Sequence, residues 1–397
     1  MPSSPAPGRA SRRALIFLFV TMLLDIMGAG IMMPVVPYIV RPYSADALTI
    51  GLLAVVFSVA QFFASPLLGA VSDRHGRRPV LVISLLGAAV GYGLFGVGGA
   101  LWVFFVSRIV AGFTAGNLTA AQAYIADVSG PEDRAKNFGL VGAAFGIGFI
   151  LGPSIGGVLA KISLTAPAWA SAGVALVTAI FGWFVLPESL APERRRPHPL
   201  HLGDFNPFSL LLMALRTPRL RALFSGIFLS RFAMMALQTN FAVYTLDRFK
   251  YTPSQNAVVF TVLGATATIT QGFIIRRLSG RFSERWLLLV GLAMMTVGMA
   301  AVAAVPFGWL LAPAIAVLAF GSGLMQPTIQ SLVSSAGTAD EQGMLFGANG
   351  AITSLTAILG PAWAGFVFDH VAFTAPYWSG AACLAAAWLA IRRAVPE

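Results

Sequence analysis

The chain has 397 residues, 57% of them hydrophobic and only 10% charged, with a formal net charge of +11 and a mean hydropathy of +0.80. Soluble domains carry about 25% charged residues, so this surface cannot be coated with water-facing charge and lipid must cover much of it. The single cysteine, Cys383, excludes an internal disulfide and a cysteine-based metal site, and the four histidines lack ligand spacing, His198 and His201 reading as solvated linker residues.

Residues 1–13, "MPSSPAPGRASRR", form a basic, Pro/Ser-rich tail. The apolar stretch behind it competes with a signal peptide, but it is too long, contains Asp25 and lacks a small-x-small cleavage site, so it reads as an uncleaved first span. Windows of about 20 apolar residues recur twelve times: 14–40, 48–70, 79–99, 102–126, 138–160, 166–186, 220–246, 255–276, 286–307, 309–334, 343–368 and 372–391. Runs of this length are helical, because barrel strands are half as long and alternate. The expected fold class is an all-α polytopic membrane protein with a six-helix bundle over 14–186, a linker over 187–219, a second bundle over 220–392 and a short tail over 393–397.

Lysine and arginine set the orientation. The tail, the even-numbered connections, the linker and the C-terminus hold 20 of the 26, the alternate loops hold 4 (Arg41, Lys161, Arg248, Lys250), and Arg108 and Arg231 remain within spans. Both termini are therefore expected in the cytoplasm, and the high pI needs no nucleic acid. The linker is polar and Pro-rich, then "SLLLMALRTPRL" reads as an interfacial helix. The halves repeat: "NFGLVGAAFGIGFILGPSIGG" (137–157) aligns with "LFGANGAITSLTAILGPAWAG" (345–365) at an offset of 208, and "SDRHGRRPVLV" (72–82) with "SGRFSERWLLL" (279–289) at 207. Such internal repeats belong to transporters, with two bundles enclosing a cavity.

Four stretches carry chemistry. In "GAVSDRHGRRPV" (69–80), Gly69 is expected to allow tight helix contact, Asp73 to meet a helix N-terminus, and Arg74, Arg77 and Arg78 to pair with carboxylates across the seam between halves; an ordinary positive loop explains the arginines but not the Gly69/Asp73/Gly76 spacing. In span five, Gly148, Gly152 and Gly156 (followed by Gly157) give one smooth helix face, and Pro153 invites a bend. In span four, Arg108, Gly112, Ala115, Thr119 and Gln122 fall on one helical face, which must meet a cavity or another helix; snorkelling of Arg108 to the interface is the alternative. In span one, Asp25 shares a face with Gly28 and Met32, while Pro34 and Pro37 bend its outer end. A carboxylate there costs about 2.5–3.5 kcal/mol on insertion scales, which a proton-binding task would explain; a fixed Asp25–Arg108 pair or a capping role is the structural alternative. The second half adds Gln238, Asn240 and Tyr244 in span seven, Gln326 and Gln330 in span ten and Asn349 in span eleven as candidate substrate contacts. Arg231 in span seven has no obvious acidic partner. No nucleophile–base pair, metal cluster or phosphate loop points to an enzyme.

These stretches carry a resemblance. "GAVSDRHGRRPV" resembles the loop signature of the major facilitator superfamily, "GIGFILGPSIGG" the span-five signature of its antiporters, and Arg108 with Gly112 the span-four motif of drug/proton antiporters. With "LDIMGAGIMMPVVP", "IAD" (125–127), "DRF" (247–249) and "TSLTAILGP" (353–361), nearly the whole chain looks like the tetracycline/proton antiporters. The resemblance implies a bacterial inner-membrane exporter driven by the proton gradient. It makes the 69–78 loop, with Asp127, a cytoplasmic gate and the span-five glycines an antiporter motif. It also makes Asp25 and Arg108 the proton-coupling groups. Three residues of those exporters are absent: the span-three aspartate before a tyrosine (here Gly91 before Tyr92), the span-nine aspartate and the span-eight histidine. The expectation is proton-coupled efflux of a lipophilic small molecule, cations included, without cofactor or metal, by a monomer whose partners are substrate, protons and bilayer. The alternative is a uniporter or proton symporter of a metabolite or lipid-like solute.

Overall fold

The computed structural model describes residues 9–129, 133–190, 195, 218–335 and 342–394. Residues 1–8, the linker from 191 to 217 except Arg195, with its expected interfacial helix, and residues 395–397 lie outside the described residues. Each sequence window becomes helix, because in lipid every backbone N–H and C=O must find its partner within the segment. In chain order the helices are α1 Arg9–Met32, α2 Val36–Val40, α3 Ala47–His75, α4 Arg77–Val97, α5 Leu101–Phe113, α6 Asn117–Val128, α7 Arg134–Leu159 and α8 Ala166–Val185. They continue as α9 Pro218–Phe249, α10 Pro253–Ile269, α11 Ile275–Leu278, α12 Glu284–Ala304, α13 Leu311–Ser335, α14 Gln342–His370 and α15 Ala375–Ala394. Ten helices among the described residues are long and apolar enough to cross a membrane, and Leu101–Phe113 is a shorter apolar helix. The chain is an all-helical, multi-pass membrane protein.

Three windows are interrupted. Span one ends at Met32, and after a turn over 33–35 one more helical turn follows, as a proline at 34 dictates by removing a backbone donor. Span eight passes through a π-helical turn, Thr270–Ile274, between α10 and α11. Span four breaks at 114–116, where the backbone N–H of Gly116 bonds to the carbonyl of Thr114 at 2.8 Å. The expected stripe from Arg108 to Gln122 is therefore not one continuous face: Arg108 and Gly112 belong to α5, Gln122 to α6.

The chain divides into two compact units, residues 1–39 with 56–201 and residues 40–55 with 202–397. In the first, α1 packs on α7 and α8, and α4 on α5, α6 and α8. Its core joins Leu18, Met22 and Ile26 of α1 to Leu81, Ala121, Tyr124, Ile125 and Ala144. In the second, α9 packs on α14 and α15, α12 on α13 and α15, and α10 on α13. Large apolar side chains are exposed throughout, Phe63, Trp102, Phe184 and Phe273 among them. Lipid, rather than water, suits such a surface.

Candidate transport site

In the first unit the break in span four places Asn117 at the start of α6, and its side-chain amide donates a hydrogen bond to the Asp25 carboxylate on α1. Tyr92 of α4 lies near both Asp25 and Arg108. Its ring lies over Gly28, one turn beyond Asp25, where an added Cβ would sit 3.8 Å from the ring. The Arg108 guanidinium lies 4.7 Å from the Phe95 ring centroid and 6.0 Å from that of Tyr92, and donates to the Ser107 hydroxyl at 3.3 Å. No ion pair joins Asp25 to Arg108 among the described residues. The acid is held by a neutral amide, so it can take up or release a proton without breaking a salt bridge. Met32, expected on the same face, is buried, and Gln122 is half-buried on α6.

Packing around the acid is set by glycine. At Gly152 an added Cβ would lie 2.8 Å from Gly30 Cα and from the Met27 carbonyl, and at Gly148 it would lie 2.8 Å from Ile26 Cγ2. Gly156 meets the Ile31 carbonyl in the same way. The span-five stripe, with Pro153 and Gly157 buried beside it, therefore brings α7 backbone-to-backbone against the part of α1 that carries Asp25. Gly91 is a second close approach: its carbonyl accepts from the Ser107 hydroxyl at 2.7 Å, and a Cβ there would lie 2.9 Å from that of Ala111. An aspartate at this position has no room.

The 69–78 loop forms a closed network within the first unit. Arg77 pairs with Asp73 at 2.5 Å and with Asp127 at 3.1 Å, and Asp127 accepts from the Ser189 hydroxyl at 3.1 Å. Arg78 donates to the Trp183 carbonyl and stacks on its ring at 5.4 Å. Arg74 is exposed. The acid at a helix N-terminus is not Asp73 but Glu188, which accepts from the backbone N–H of Arg77 at 2.8 Å and of Arg78 at 3.2 Å, capping α4. Gly76 enters that cap at φ 109°, a left-handed backbone that only glycine adopts readily, and a side chain there would collide with Glu188. Gly69 does not make the expected tight contact: nothing lies within 4 Å of its Cβ position. It lines a shallow pocket of about 200 Å³ with Leu68, Ser72, Asp73, Arg77, Gly116, Ala120 and Ala123.

In the second unit Tyr244 is fully buried among Phe241, Phe249, Phe373 and Tyr377. Its hydroxyl donates to the Val302 carbonyl at 2.8 Å and accepts from Arg248 at 2.5 Å. Asn240, one turn earlier, is fully buried with neither side-chain polar atom bonded, and the Asn349 side-chain oxygen is likewise buried and unbonded. Gln238 and Gln330 are exposed and Gln326 is half-buried. Asp247 pairs with Arg41 at 2.5 Å, and Asp369 of α14 caps α3 by accepting from the N–H of Ala47 at 3.0 Å and Leu48 at 2.7 Å.

The Major Facilitator Superfamily model matches residues 18–361 and 223–397. Tetracycline resistance protein, class C, of Escherichia coli is 36% identical over 96% of this chain and 95% of its own length. Multidrug resistance protein 2 of Bacillus subtilis is 30% identical over 89% and 88%. The solved human organic anion transporter MFSD10 superposes with a TM-score of 0.73 at 24% identity, over 98% of this chain and all of that one, which speaks for the fold alone. With two helical units, a membrane-facing exterior and this match along nearly its whole length, the chain belongs to the major facilitator superfamily, a family of transporters, and is kin to its tetracycline and multidrug resistance proteins.

Proposed function

We propose that the protein exports lipophilic small molecules in exchange for protons, from a bacterial inner membrane in which both termini face the cytoplasm. The observation that carries the reading is Asp25. It is the sole acid within the twelve apolar windows, and a neutral amide rather than a cation holds its carboxylate. Proton and cargo alternate: the access state that takes up cargo holds Asp25 ionised, and the state that releases cargo takes up a proton. Differential affinity of the two access states for these two occupants then drives alternation. Arg108, packed on the Tyr92 and Phe95 rings, is the second proton-coupling group, and the 69–78 loop with Asp127 gates the arginine-rich side. Homology to tetracycline and multidrug resistance proteins supports efflux, and the missing span-three and span-nine acids favour simple lipophilic cargo over a metal chelate.

The test uses purified protein in liposomes with an imposed pH difference. The native chain accumulates a lipophilic dye against its gradient, while Asp25→Asn exchanges dye down its gradient and accumulates none. Accumulation by Asp25→Asn equal to the native level overturns the reading.

A further inference from the structure

We propose that Arg231 anchors an acidic group on the cargo, which is therefore a lipophilic molecule carrying a carboxylate or comparable acid; this rests on the efflux reading and narrows its substrate class. Arg231 lies in α9, ten residues beyond the exposed Arg221 and sixteen before Asp247. At about 1.5 Å per residue this is about 15 Å into a hydrocarbon layer of about 30 Å. That is the depth at which transporters of this architecture bind their cargo, and a poor place from which to snorkel.

A guanidinium at such depth is expected to face a cavity or the bundle interior and to pair with an acid or a carbonyl. Arg231 is half-buried and makes no hydrogen bond, ion pair or ring contact with another described residue. Four other arginines are held: Arg41 by Asp247, Arg77 by Asp73 and Asp127, Arg108 by Ser107 and two rings, Arg248 by Tyr244 and the Ala303 carbonyl. The sequence offers no acid in any span other than Asp25. In the cargo-binding state, with Asp25 ionised, Arg108 and Arg231 leave one surplus positive charge within the spans. An acidic cargo neutralises what the chain does not. The helical neighbours of Arg231 suit a lipophilic body: Phe228 and Met234 are half-buried, and the exposed Gln238 lies two turns on, offering an amide on the same face.

The experiment compares a lipophilic aromatic dye bearing a free carboxylate with its methyl ester, using the full chain in lipid nanodiscs for binding and in liposomes for transport. The native protein is expected to bind the acid at least about tenfold tighter than the ester. Arg231→Gln loses that preference without weakening ester binding, and Arg231→Lys recovers part of it; thermal melting confirms that both variants fold. Equal binding of acid and ester by the native chain, binding of neither, or equal weakening of both by Arg231→Gln overturns the proposal. If the ester is accumulated as well as the acid, the efflux reading stands and the anion anchor falls. If acid binding depends on Arg231 but neither dye moves in response to pH, the anchor stands and proton-coupled efflux falls.

Discussion

Gly152 offers the sharpest test of how the fold holds its acid. In Gly152→Ala the new Cβ would lie 2.8 Å from Gly30 Cα and from the Met27 carbonyl, both backbone atoms of α1. Carbon contacts relax only at about 3.5–4.0 Å, so α1 and α7 must part by about 1 Å. Overpacking of this kind costs about 1–3 kcal/mol, against about 1 kcal/mol gained from the better helix propensity of alanine. Gly142→Ala is the internal control: it lies in the same helix, with nothing within 4 Å of its Cβ position, and gains the propensity alone. The two variants should therefore differ by about 1–3 kcal/mol, read by thermal unfolding of the purified protein in detergent. Because Met27 and Gly30 lie within about a turn and a half of Asp25, Gly152→Ala should also lower pH-driven dye accumulation while Gly142→Ala does not. Equal melting and equal transport for the two variants would refute the claim that the glycine stripe sets the position of α1.

Two further outcomes follow from the capping acids. Glu188→Gln removes an anion from the N-terminus of α4 and should destabilise the protein by about 0.3–2 kcal/mol, seen as a lower melting temperature that 1 M salt does not restore. Asp369→Ala leaves the first N–H groups of α3 without their acceptor and should cost about 0.5–2 kcal/mol by the same measurement, whereas Asp46→Ala, in the loop just ahead of α3, should change it little.

Much of the architecture was legible from hydropathy, because a span must be both long and apolar and both facts are written locally. The membrane acid was legible too, since Asp25 interrupts such a run. Its partners were not. Asn117 reaches Asp25 because the helix breaks at 114–116, and a face projected along an unbroken helix assigns the residues on either side of that break to one stripe. Glu188 caps α4 from 111 residues away, and no local signal links "PES" to "HGRRP". Tyr244 looked like a binding residue from its polarity, yet its hydroxyl is committed to Val302 and Arg248 inside an aromatic cluster. Gly69 fits a family spacing that says nothing of what lies opposite it, and in this structure that is a pocket.

The exchange of proton for cargo at Asp25 is measured most directly by titrating purified protein with a lipophilic dye in weakly buffered detergent solution and recording the pH. Binding should release protons from the native chain and none from Asp25→Asn, with dye still bound by the variant. Proton release undiminished in Asp25→Asn, or dye binding without release by the native chain, would contradict the account.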